Sequence, residues 1–176
     1  MDPVIDMALR ASLALLFVAA ASHKLRDRGR FRAALADYRL LPATLVPAGV
    51  LLVAGAELAV AAALLAAGLR RAGLVGAAAL LGLYGAAIAI NLARGRHIDC
   101  GCGSAAGRPI NAWLVARNTL LGLAALAALA PVRPRALGPV DALTIAGAFL
   151  TLTALYAAAD RMIAHAPLLA RLRGDT

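Results

Sequence analysis

Long runs of alanine, leucine, valine and glycine alternate along the chain with short segments that carry nearly all the charge. A bilayer core is crossed by about 20 apolar residues rising ~1.5 Å each. Five runs meet that length, at about residues 5–25, 44–69, 72–93, 110–130 and 140–159. Strands of a barrel would alternate with a period of two, and these runs do not. The pattern predicts an all-α integral membrane fold. It consists of a four-helix transmembrane bundle, a fifth span and one interfacial helix, forming a single transmembrane domain over residues 1–176. The fifth run is the most diluted, bracketed by Asp141 and Asp160 and interrupted by Thr144, Thr151 and Thr153.

The connections sharpen this picture. Asp2 and Asp6 oppose Arg10 before the first run, so that run lacks the positive start of a signal peptide and reads as a retained span. Arg70 and Arg71 occupy a minimal turn, which makes spans two and three an antiparallel hairpin. Pro131, Pro134 and Pro139 punctuate the approach to the fifth span. Between His23 and Pro42, Phe31, Leu35 and Tyr38 share one helical face, with Arg28, Arg32 and Arg39 along its edge. That is the pattern of a short helix lying in the interface. Gly73, Gly76, Gly82 and Gly85 line the third run, where small residues allow close helix packing.

Composition agrees: 62% of residues are hydrophobic, 15% are charged and the mean hydropathy is +0.82, too apolar for one soluble core. The net charge of +9 does not point to nucleic acid, because the arginines flank apolar runs without a basic face or interleaved stacking aromatics. Five spans place twelve Lys and Arg residues on the side of the first and third loops and the C-terminus. Five lie on the other side, and Arg117 lies within a span. That bias favours cytoplasmic first and third loops in an inner-membrane, multi-pass protein.

Candidate chemistry concentrates in the third loop. Both cysteines of the chain, Cys100 and Cys102, stand there one glycine apart, with Arg96, His97, Asp99 and Arg108. Gly101 permits a tight backbone, so the thiols can close on each other in a strained, exchangeable disulfide. Arg94, Arg96, Arg108 and the fourth span's N-terminal dipole favour a thiolate, His97 is a local proton acceptor, and Asp99 opposes ionisation. Cys102, nearer that helix, is the preferred attacker. A metal site built on His97, Asp99, Cys100 and Cys102 is the rival chemistry. Ligands so close on one loop rarely complete a tetrahedral site without a second, distant pair, so no metal is assigned. A non-catalytic scaffold for a redox partner is the third alternative. Within the spans, Glu57, Tyr84, Arg117, Asn118 and Asn91 are costly at depth. A Glu57–Arg117 pair is expected, either as a register-fixing ion pair or as part of a polar pocket that relays protons or holds a quinone headgroup.

Several of these residues together resemble the MauE/DoxX family of redox-associated membrane proteins. The run Lys24, Asp27, Phe31, Tyr38, Leu40, Leu41 and Pro42 looks like its first-loop signature. Glu57, Cys100-Gly101-Cys102 and Arg117-Asn118 are similar to the MauE branch, named from methylamine utilisation, and the resemblance covers about residues 10 to 130. It implies a bundle like that of vitamin K epoxide reductase. Cys100 and Cys102 would be redox-active, with Lys24, Glu57 and Arg117 in support, beside the His97 and Asp99 that the loop itself supplies. It also implies a thioredoxin-like partner, exchange of disulfides in exported proteins, and a first-loop helix sheltering the thiols. Family members often follow the second cysteine with phenylalanine and glycine, whereas Gly103 and Ser104 stand here, so an aromatic over the thiols is missing. This role needs outward-facing thiols, where disulfides persist, against the sidedness that the charge bias favours.

Overall fold

The computed structural model describes residues 1–96, 98, 109–133 and 135–172 of the chain. They form an all-helical fold of six α-helices, α1 Pro3–Arg26, α2 Arg28–Asp37, α3 Val46–Leu65, α4 Arg70–Ala93, α5 Ala112–Ala127 and α6 Pro139–Leu172, with short 3-10 turns at Ala43–Leu45 and Ala67–Leu69. Four segments are long and apolar enough to span a bilayer: Pro3–Arg26, Ala43–Leu65, Arg70–Ala93 and Pro139–Ala159. The expected span at 110–130 contains the shorter α5, whose 16 residues rise about 24 Å. The fifth run continues beyond residue 159 as one helix of 34 residues.

Local chemistry sets the helix ends. Asp2 caps α1, its carboxylate accepting from Val4 N–H at 2.8 Å, and Pro3 takes the first turn, where a missing N–H costs nothing. Asp27 closes α1 and opens α2, accepting from Arg30 N–H at 3.0 Å, so the chain bends without a loop. The expected helix in the first loop is therefore present. The same cap role falls to Asn111 at the start of α5, which accepts from Leu114 N–H at 3.1 Å. Pro109 lies upstream of that helix rather than in its first turn. Within α6, Thr144 returns its hydroxyl to Val140 O at 2.8 Å, which satisfies a polar group the apolar helix would otherwise expose.

The helices pack in the order α6–α1–α3–α4–α5. The α3–α4 hairpin is tight because Gly73 lies against the backbone of Ala63 and Leu64, and Gly76 lies against Val60. Gly85 meets Asn118 at ordinary distance and Gly82 faces open space, so only part of the glycine run serves close approach. An apolar core fills the end of the bundle holding the chain's N-terminus: Leu13, Ala14 and Phe17 of α1 meet Ala61, Leu64, Leu74, Ala77, Leu81 and Ala125.

That end is locked by charge. Asp6, 4% exposed, receives Arg10 at 3.3 Å and Arg70 at 2.9 Å. Each guanidinium also caps helix-terminal carbonyls: Arg10 donates to Leu64 O and Ala66 O, and Arg70 to Ala128 O and Ala130 O. One buried carboxylate thus joins the C-terminal ends of α3 and α5 to α1, where cations favour the dipole. Arg135 ties Asp2 to Asp141 at the base of α6.

Candidate functional site

Apart from Asp6, the buried polar residues Lys24, Glu57, Asn91 and Asn118 lie toward the opposite end of the bundle, where α1 finishes and α5 begins. Lys24 and Glu57 form an ion pair at 2.6 Å with side chains 4% and 0% exposed. Helix geometry explains the match. Side chains tilt toward their own helix N-terminus, so Lys24, in the last turn of α1, reaches back into the bundle. Glu57, midway along the antiparallel α3, leans toward it. Tyr84 of α4 donates its hydroxyl to the same Glu57 Oε1 at 2.9 Å. The Lys24 ammonium lies 5.3 Å from the Phe31 ring centroid and 5.5 Å from that of Tyr84, within cation–π range of both. One ammonium therefore gathers α1, α2, α3 and α4.

This corrects the expected Glu57–Arg117 pair. α4 stands between α3 and α5, and Lys24 fills the place beside Glu57. Arg117 instead sets its guanidinium 5.8 Å from the Tyr156 ring of α6. Three further atoms bear on a polar interior: Glu57 Oε2, Asn91 Oδ1 and Asn118 Nδ2 are buried without a hydrogen-bond partner among the described residues. Asn91 donates its amide to Ala87 O at 3.0 Å. An isolated buried ion pair costs more desolvation than its attraction returns unless further donors complete it. Here Tyr84 and the two rings complete one side, and Glu57 Oε2 is left available.

His97, Asp99, Cys100 and Cys102 lie outside the described residues. The stems on either side of them are described. Ile110 N–H donates to Ile98 O at 2.9 Å, so the chain departs and returns through one neck. Tyr38 at the end of α2 packs on this neck with Ile88, Ile110 and Leu114, all buried. Arg96 donates to Asp37 O at 3.2 Å, a second tie between α2 and the base of the cysteine segment. Tyr38, read from sequence as one residue of an interfacial face, turns out to be a packing contact with that base. Lys24, Glu57 and Tyr84 come together below it, whereas Arg117 joins α5 to α6.

The fold and this site define a class: a multi-pass helical membrane protein with an ion pair buried among its helices. The chain belongs to the family described as "Methylamine utilisation protein MauE", whose model matches residues 2–131. It is 38% identical over 169 residues to a methylamine utilization protein MauE of Methylophilus methylotrophus, covering 92% of this chain and 87% of that protein. The MauE protein of Methylorubrum extorquens is 42% identical over 89% of this chain and 87% of its own. That of Paracoccus denitrificans is 43% identical over 72% and 69%. No solved structure matches.

Proposed function

We propose that this chain is a thiol–disulfide redox protein of the inner cell membrane that serves methylamine utilisation by exchanging disulfides with a thioredoxin-like partner. The observation that carries the reading is the pair itself. The only two cysteines of a MauE-family chain stand one glycine apart in a segment whose stems are clamped at Ile98 and Ile110.

Exchange needs no further reagent. A thiolate of the reduced pair attacks the partner's disulfide, forming a mixed disulfide and releasing one partner thiolate. The second thiolate then attacks the mixed disulfide, closes the Cys100–Cys102 bond and releases the partner's second sulfur. Two electrons pass to the partner, and its thiolates take up the protons the pair has lost. The reverse sequence oxidises the partner. Lys24, Glu57, Tyr84 and Phe31 act as positioning residues: they hold α2 and α4 together where Tyr38 and Arg96 meet the neck.

Labelling of intact cells with a membrane-impermeant maleimide, before and after a reductant, tests this. The reading expects labelling of Cys100 and Cys102 only after reduction, which also places them on the outer face. Equal labelling in both conditions would reject a resting disulfide.

A further inference from the structure

α2 and α4 both finish at the cysteine end, and both finish on a residue of positive φ. For α4 that residue is Gly95, φ 67, with Gly95 N–H on Leu92 O at 2.9 Å and Arg96 N–H on Asn91 O at 3.1 Å, the paired bonds of a Schellman ending. α2 places Arg39 in the equivalent position, φ 47, with its N–H on Ala36 O at 3.0 Å. A Cβ at positive φ crowds the carbonyl, so glycine would suit this turn better, and the hydrogen bonds of the ending require no side chain.

The two endings bring their arginines to one place. Arg39 and Arg96 line a surface depression of about 270 Å³ together with Asp37 and Ile98. Arg96 is braced there by its bond to Asp37 O at 3.2 Å. Ile98 belongs to the neck of the cysteine segment. Residues 26–39 and 94–96 carry seven arginines against two aspartates, so the approach is strongly positive.

We infer that this depression receives an acidic side chain, Asp or Glu, from the protein that brings its own sulfur to Cys100 and Cys102; the partner's identity rests on the exchange reading above. Guanidinium groups match carboxylates bidentately, and a positive surround raises encounter rates. The depression adjoins Ile98 of the neck, whereas Arg28 and Arg32, exposed on α2, lie outside its lining.

The test uses the full chain in phosphatidylcholine nanodiscs and two fluorescent peptides. Each peptide holds one cysteine, flanked by glutamates in one and by glutamines in the other. Binding to the Cys100→Ser/Cys102→Ser protein, read by anisotropy, isolates docking from thiol chemistry. The glutamate peptide should bind about tenfold tighter, with an advantage that declines as salt rises. Arg39→Gly should raise thermal stability while removing most of that advantage, and Arg96→Gln should also remove it. Equal binding of the two peptides overturns the proposal. So does an advantage that Arg39→Gly and Arg96→Gln leave intact while they abolish binding of short-chain phosphatidylglycerol, because the guanidiniums would then serve headgroups. Mixed disulfides formed with the unmutated chain report on exchange separately. Acidic preference without mixed disulfides supports the docking site and rejects the redox reading. Mixed disulfides formed equally by both peptides do the opposite.

Discussion

Replacing Lys24 by methionine leaves the Glu57 carboxylate, 0% exposed, with the Tyr84 hydroxyl as its remaining described donor. Breaking a buried pair from one side typically costs about 3–5 kcal/mol, because a charge is stranded away from water. A hydrogen bond to a charged group is worth about 1.5–3 kcal/mol, so the Tyr84 contact keeps the cost near the lower bound. Glu57→Gln strands Lys24 instead, but the Phe31 and Tyr84 rings stay within 5.5 Å and the new amide oxygen still accepts. Cation–π contacts of about 0.5–2 kcal/mol limit that loss to about 2 kcal/mol. The double variant Lys24→Met/Glu57→Gln removes both charges and should fall within about 1 kcal/mol of the parent, since no charge is left stranded away from water and the Tyr84 hydroxyl keeps an acceptor. The coupling energy is then about 4 kcal/mol, far above the ~0.2–1 kcal/mol of an exposed pair. Reversible unfolding in mixed micelles, titrated with a denaturing detergent, measures all four corners of the cycle. Additive losses, or single variants costing under about 1 kcal/mol, would refute a buried, mutually dependent pair.

Other outcomes follow from the same geometry. Gly73→Ala places a Cβ 2.6 Å from Leu64 N, a backbone atom that cannot swing aside, and should cost about 1–3 kcal/mol in the same unfolding assay. Gly82→Ala meets nothing within 4 Å and should gain about 0.5–1 kcal/mol, so equal effects would contradict the hairpin packing. Asp6→Asn removes the carboxylate shared by Arg10 and Arg70 and should cost about 3 kcal/mol; a change under about 0.5 kcal/mol would show that the guanidiniums need only the helix carbonyls. At the base of α6, hydrogen bonds from the Arg135 guanidinium and then from Val4 N–H hold the Asp2 carboxyl below its ordinary value of 3.8. A depressed carboxyl adds stability that is complete above its unfolded pKa and is lost as pH falls through the folded one. Exchange of the Arg133 amide, which donates to Met1 O, should therefore, relative to its intrinsic rate at each pH, be flat from neutral pH down to about 4 and rise only below it. A rise near pH 6 would contradict the assignment.

Much of the fold was legible because lipid imposes a length rule on apolar runs, and the hairpin at Arg70 and the helix carrying Phe31, Leu35 and Tyr38 follow from local pattern. Neighbourhood was not legible. Glu57 and Arg117 looked like partners because both are charged and mid-span, but packing order decides contact, and α4 separates their helices. By charge pattern alone Lys24 is one more flanking cation, and only the first-loop resemblance singles it out as a supporting residue. Only the backward tilt of its side chain and the closeness of α1 to α3 bury it against Glu57. Asp6 carried a usable signal, an i,i+4 spacing to Arg10, yet its second partner, Arg70, lies 64 residues away. Arg39 had none, since nothing in its neighbours marks a turn that glycine usually fills.

The account rests on two sulfurs that join and separate under physiological reducing power. Intact-mass measurement after alkylation, on membranes equilibrated across a series of glutathione redox buffers, tests this directly. The account predicts a single two-electron transition between a species bearing two alkyl groups and one bearing none, abolished in Cys100→Ser and in Cys102→Ser. Two alkyl groups at every potential, including the most oxidising, would contradict it.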